Sequence, residues 1–162
     1  MAITICFSNQ KGGVTKTTTS QTVATILNSQ DKKTLLIDLD PQGNLSFALG
    51  ADIEELPTVY DLLKHEVSAP DVIQHTSSGD LIPANILLSA ADMEFTSTGR
   101  EYLLLESIEQ FHKDYDYIII DTPPALNILT INAFAASNFV VIPMLADVFS
   151  LQGMAQLNST ID

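Results

Sequence analysis

The sequence predicts an α/β fold: a mostly parallel sheet with helices on both faces. Three observations carry this expectation. Short apolar runs of strand character alternate with longer stretches whose apolar residues recur at helical spacing. The runs TLLIDLD (Thr34–Asp40) and YDYIIIDTPP (Tyr115–Pro124) are apolar almost throughout, as expected of strands covered on both faces. Three of the runs end in polar or turn-forming residues, at Asn9–Gly13, Asp38–Pro41 and Asp121–Pro123. That composition suits the carboxyl edge of a parallel sheet, where ligands of such folds sit.

In order along the chain, ITICFS (Ile3–Ser8) reads as a strand. KTTTSQTVATILNSQ (Lys16–Gln30) reads as a helix, with Val23, Ile26 and Leu27 at helical spacing. DKK turns the chain into the strand Thr34–Asp40, and Pro-Gln-Gly-Asn turns it out again. TVYDLLK (Thr58–Lys64) is a short helix capped by Thr58, and APDVIQHT (Ala69–Thr76) is expected as another. GDLIPAN (Gly79–Asn85) is a short strand, followed by helices at Leu87–Phe95 and Glu101–Asp114. The strand from Tyr115 stops at Pro123-Pro124, LNILTINAFAAS (Leu126–Ser137) is a helix, NFVVIPM (Asn138–Met144) is a further strand, and SLQGMAQLNSTI (Ser150–Ile161) begins a last helix. The expected organisation is one domain over residues 1–162, without repeat, linker or low-complexity tract.

Composition narrows the function classes. Hydrophobic residues make up 46% of the chain and mean hydropathy is +0.20, values of a folded protein with a buried core. Twenty Asp and Glu against seven Lys and Arg give a net charge of −13. Lys11 and Lys16 lie in the opening motif, whereas Lys32, Lys33, Lys64, Arg100 and Lys113 are scattered. No basic stripe is available for counterion release from DNA, so autonomous nucleic-acid binding is not expected of this chain. No apolar run reaches the roughly 18 residues of a membrane span, and no signal peptide precedes the first strand. The one cysteine, Cys6, can form no internal disulfide, which suits a reducing cytoplasm. His65, His75 and His112 lack paired-ligand spacing and read as surface or packing residues; G-x-S-x-G is absent, and the acidic Ala51–Asp61 reads as a solvated turn.

The chemistry gathers at the three strand ends. In NQKGGVTKTTTS (Asn9–Ser20), Gly12 and Gly13 let the backbone turn its N–H groups inward as an anion nest. The loop feeds a helix N-terminus, which favours phosphate; Lys16 supplies a full charge, and the Thr17 hydroxyl suits Mg²⁺. The plainer reading is an ordinary loop with a helix cap; placement between a buried strand and a helix favours the phosphate loop. LLIDLDPQGN also admits a plain turn after a strand, and YIIIDTPP a helix cap at Asp121. Occurring together, Asp40 and Asp121 are the carboxylates such a loop needs to hold Mg²⁺ through water and orient an attacking water.

Taken with these motifs, the chain resembles the ParA/Soj/MinD group of deviant Walker ATPases, most closely ParA/Soj-type partition proteins. The family loop K-G-G-x-G-K-[ST] reads K-G-G-V-T-K-T from Lys11 to Thr17; D-x-D-P-Q-x-N reads DLDPQGN from Asp38 to Asn44; and the D-x-P-P strand is YDYIIIDTPP. The resemblance implies a P-loop NTPase fold and a Mg²⁺-dependent ATPase that dimerises around ATP and is released by hydrolysis, acting in plasmid or chromosome partition. It implies that Lys11 is the signature lysine reaching the partner's phosphates across a nucleotide-sandwich homodimer. Gly12, Gly13, Val14 and Thr15 would wrap the phosphates, Lys16 bind the β- and γ-phosphates, Thr17 Mg²⁺ and Thr18 the α-phosphate. Asp40 would position the attacking water, Asp38 support the Mg²⁺ site or the loop, and Asp121 hold Mg²⁺ through water. A ParB-type adaptor would be the partner, in the cytoplasm, with no membrane contact: the cluster cysteines of the related nitrogenase iron protein and the C-terminal amphipathic helix of MinD are lacking.

Two departures stand out. Thr15 replaces the family's glycine: it is strained if the position needs φ above zero and merely bulky if it does not. The chain also stops inside a helix that the family continues, so the adenine-reading segment and the basic surface that binds DNA non-specifically, and supports nucleoid association, are expected only in a longer, complete form. The competing expectation is a truncated, non-catalytic nucleotide-binding module whose uncovered apolar surface favours self-association.

Overall fold

The computed structural model describes residues 1–144. Their strands are β1 (Ile3–Phe7), β2 (Thr34–Asp38), β3 (Gln74–Thr76), β4 (Gly79–Ile82), β5 (Tyr117–Asp121) and β6 (Phe139–Val141). They form one sheet in the order β3-β4-β2-β5-β1-β6, parallel except where β3 runs antiparallel to β4 at the edge. The helices are α1 (Lys16–Ser29), α2 (Asn44–Ala48), α3 (Val59–Leu63), α4 (Ala69–Val72), α5 (Ala91–Glu94), α6 (Leu103–Ile108) and α7 (Ile128–Ala135).

Side-chain alternation along β5 divides the core. Ile118 and Ile120 join a cluster with Cys6, Leu35 and Ile37, closed by α3 through Leu62 and Leu63, α6 through Leu104 and Ile108, and α7 through Leu129 and Ala133. Ile119 points to the opposite face, among Phe7, Leu36 and Leu81, covered by Ala24 of α1 and Leu45 of α2. Helices therefore cover both faces, which is why β2 is buried at every position. Each isoleucine of β5 contributes roughly 1.5–3 kcal/mol through this burial.

Several elements differ from expectation. The stretch Ala69–Thr76, expected as one helix, holds the single turn of α4 and then β3. Its strand half is recruited by the hairpin to β4, where Gly79 has φ 119 and a Cβ would lie 2.8 Å from the Thr34 carbonyl oxygen. The expected helix at Leu87–Phe95 is a 3-10 segment (Ile86–Ala90) followed by α5, and that at Glu101–Asp114 is α6 flanked by 3-10 turns at Arg100–Tyr102 and Glu109–Lys113. α2 is an extra helix that begins at the last residue of the expected Pro-Gln-Gly-Asn turn. α3 begins after Thr58 as expected, with the Thr58 N–H donating to Asp61 Oδ2 at 2.8 Å. The helix expected over 150–161 lies outside the described residues.

Candidate functional site

The strand order makes neighbours of the three motifs. β5 lies between β2 and β1, so Asp121 is in register with Asp38 on one side and with Phe7, two residues before Asn9, on the other. Asp38 and Asp121 continue the alternation of Leu36 and Ile119, which places both carboxylates on the face covered by α1.

The loop from Asn9 to Thr15 leaves β1 and enters α1. Buried Asn9 anchors its start: Nδ2 donates to the Pro143 carbonyl at 2.7 Å, and Oδ1 accepts from the Lys11 N–H at 2.9 Å. Gly12 and Gly13 are exposed, Gly13 with φ 74, while Val14 packs inward. Thr15 has φ 63 and ψ 23, the left-handed conformation. The first alternative posed by the sequence therefore holds: a β-branched residue stands where glycine fits without strain. Its hydroxyl donates to the Val14 carbonyl at 2.6 Å, and its own carbonyl takes the Thr19 N–H at 2.8 Å.

α1 then presents Lys16, Thr17 and Thr18 in its first turn. Lys16 is buried, and its Nζ curls back to the Lys11 carbonyl at 3.5 Å. Burial lowers its pKa, opposed by the charges of Asp121 and Asp40. Lys11 itself is half-buried and Thr18 is exposed. The Thr17 hydroxyl donates to Asp121 Oδ2 at 2.7 Å. Asp121 is 1% exposed, and its Oδ1 has no hydrogen-bond partner. Burial pushes this carboxyl up to about 7; Asp38 and Asp40 add to the rise, while the Thr17 bond and Lys16 oppose it.

Asp38 is fully buried but fully engaged. Oδ1 accepts from the Asp40 N–H at 3.0 Å, and Oδ2 accepts from the Ser46 N–H at 2.9 Å and the Ser46 hydroxyl at 2.7 Å. Burial raises its pKa to about 6 despite these bonds. Asp40 lies at the surface boundary, 9% exposed, with Oδ1 accepting from the Gln42 N–H at 2.9 Å. Among the described residues no three His, Cys, Asp or Glu side chains converge as a metal cage. The site thus offers one buried carboxylate with an unpartnered oxygen, a hydroxyl beside it, a buried ammonium and a glycine loop at a helix N-terminus. That combination suits a polyanion carrying a divalent cation. Ser46 was missed by sequence reasoning, since nothing in its type or its spacing from Asp38 distinguishes it from a surface serine. A cleft of about 850 Å³ lined by Met1, Glu106, Glu109, Gln110, His112 and Lys113 lies away from these strand ends. Among the described residues no helix is long and apolar enough to cross a membrane.

Known proteins share the sequence and the fold of this chain. The AAA domain family (AAA_31) matches residues 2–162. The sporulation initiation inhibitor protein Soj of Bacillus subtilis (strain 168) is 45% identical over 163 residues, covering 97% of this chain and 64% of Soj, so this chain spans less than two thirds of that relative. The crystal structure of a cobyrinic acid a,c-diamide synthase from Mycobacterium smegmatis with bound ADP and magnesium superposes with a TM-score of 0.94 at 38% identity, covering 99% of this chain and 67% of that one. A putative plasmid partition protein from Borrelia burgdorferi B31 bound to AMPPNP gives a TM-score of 0.86 at 30% identity, over 99% and 70% of the two chains. The chain belongs to the AAA_31 family of AAA domains, and its relatives there include ParA/Soj-type proteins.

Proposed function

We propose that this chain binds Mg²⁺-ATP at the strand ends of β1, β2 and β5 and hydrolyses it as a ParA-type dimerisation switch. The observation that carries the proposal is Asp121, a buried carboxylate with one oxygen bonded to Thr17 and the other unpartnered, beside Lys16 and the glycine loop. An orphaned buried oxygen costs about 1–3 kcal/mol, a cost that a bound cation and its waters remove. The residues therefore fit Mg²⁺, with Thr17 and Asp121 as its holders. Relatives with ADP and magnesium or with AMPPNP at 30–38% identity support the same ligand class.

Roles follow from position. The N–H groups of Gly12, Gly13, Val14 and Thr15 and the start of α1 receive the phosphate oxygens, and Thr18 lies at the α-phosphate end. Lys16 loses its weak bond to the Lys11 carbonyl and turns to the β- and γ-phosphates. When bound, Mg²⁺ neutralises phosphate charge. Asp40, near the surface at the end of β2, orients the attacking water, and Asp38 holds the loop that carries Asp40. No covalent intermediate is needed; positioning and charge stabilisation do the work. Lys11 reaches the partner's phosphates in a nucleotide-sandwich homodimer, so turnover depends on association. Relatives from chromosome and plasmid partition support a partition role; the same reading takes a ParB-type adaptor as partner and the cytoplasm as the place of action. The described residues hold no basic stripe, so DNA contact is not assigned to them.

Steady-state ATPase measurement beside sedimentation with and without Mg²⁺-ATP tests the proposal. The expected result is slow turnover, association on ATP, and turnover reduced at least about 100-fold by Asp40→Ala with binding retained. ATP binding without turnover, unchanged by Asp40→Ala, would leave a non-catalytic nucleotide-binding module.

A further inference from the structure

We infer that Ser46 is the positioning residue that fixes the Asp40 loop on the sheet, acting through Asp38 and Ala84. The inference rests on the catalytic role proposed for Asp40. Asp38 binds both the loop and the helix that ends it: Oδ1 takes the Asp40 N–H at the loop's start, and Oδ2 takes the Ser46 N–H and hydroxyl in α2. The Ser46 oxygen also accepts the Ala84 N–H at 2.9 Å, just beyond β4. One serine thus joins the end of β2 to the chain leaving β4, and both Ser46 and Asp38 are 0% exposed. Gly43 closes the same contact from the middle of the loop: at φ 61, a Cβ there would lie 3.2 Å from the Ala84 carbonyl oxygen.

This arrangement separates the fully engaged Asp38 from the half-engaged Asp121 by task. Asp38 spends every oxygen on the loop, whereas Asp121 keeps one without a partner. Asp38 is therefore a positioning residue, and the direction in which Asp40 projects is set by a serine whose hydroxyl bonds both Asp38 and Ala84 and touches no phosphate-loop residue. Removing the Ser46 hydroxyl leaves the buried Ala84 N–H unpaired and halves the hold on Oδ2, so the loop loosens while the glycine loop and Lys16 stay in place.

The test uses the full chain with Ser46→Ala, Asp38→Asn and wild type, folding being checked by melting temperature. The amide group of Asp38→Asn must point a donor at one of the donors it replaces an acceptor for, so it breaks the same hold without changing shape. Amide hydrogen exchange over 40–46 is expected to rise about tenfold in both variants, with exchange over 34–38 unchanged. Turnover per folded, ATP-binding site, counted by ATP titration, is expected to fall about tenfold with KM for ATP within about twofold; the normalisation removes the loss of apparent kcat that general destabilisation would cause. Unchanged exchange over 40–46, or kcat and KM shifting in proportion, would overturn the inference. Were Ser46→Ala not to fold, Ser46→Cys, which keeps a weak donor at that place, would be read the same way. A wild-type chain with no turnover defeats the proposed function and not this inference, which the exchange measurement then decides alone.

Discussion

Thr15 sits at φ 63 between Val14 and the first turn of α1, in a conformation that costs a β-branched residue about 1–2 kcal/mol more than glycine. Part of that difference returns through the unfolded chain, which glycine makes more flexible. Thr15→Gly is therefore expected to raise stability by about 1 kcal/mol, a few degrees in melting temperature for a chain of this size. A drop in melting temperature would show that the hydroxyl bond to the Val14 carbonyl outweighs the strain. Asp121 leads to a pH dependence. Its folded pKa is about 7, raised by burial, against about 3.9 in an unfolded chain. Between those values the folded state keeps a proton that the unfolded state has lost, so stability is highest at the acid end and falls as pH rises from about 4 to 7. Asp38, raised to about 6, acts in the same direction. Without nucleotide or Mg²⁺, the melting temperature should fall between pH 5 and pH 7.5, and Asp121→Asn should flatten the fall and raise the value at pH 7.5. A slope unaffected by Asp121→Asn would contradict the burial argument.

At the scale of elements, the β3–β4 hairpin depends on Gly79. A Cβ 2.8 Å from the Thr34 oxygen, added to φ 119, makes Gly79→Ala cost about 2 kcal/mol or more, and the loss should appear in a urea midpoint shifted down with m unchanged. This hairpin also marks where sequence reading fell short. Ala69–Thr76 has apolar spacing that a short helix and a strand share, and only pairing with β4 decides for a strand at Gln74–Thr76. α2 was illegible for a similar reason: five residues after a left-handed glycine carry little intrinsic signal, and the bonds from Ser46 to Asp38 and Ala84 that hold it are tertiary. The buried runs of β2 and β5, by contrast, were plain, because the positions between the first residue and the closing aspartate, covered on both faces, are all apolar. The polar residues at those ends were legible as a site for the same physical reason. Which of the three aspartates has an unpartnered oxygen was not legible, since that depends on hydrogen bonds between β2, α2 and α1.

For the whole molecule, sheet order does what no single motif does. Threading β5 between β2 and β1 puts Asp38, Asp121 and the start of the glycine loop on three adjacent strands, and α1 lays Thr17 against Asp121. In a chain of net charge −13, Lys11 and Lys16 bring positive charge to this loop, which suits a polyphosphate there. The central claim is that this place binds Mg²⁺-ATP through Lys16, Thr17 and Asp121. Calorimetric titration of wild type and Lys16→Ala with ATP, each with and without Mg²⁺, tests it most directly. One ATP is expected to bind per wild-type chain, with affinity that falls when Mg²⁺ is withheld and by about 100-fold or more in Lys16→Ala. Wild type that binds neither ATP nor ADP, or a Lys16→Ala variant that binds ATP as well as wild type does, would contradict it.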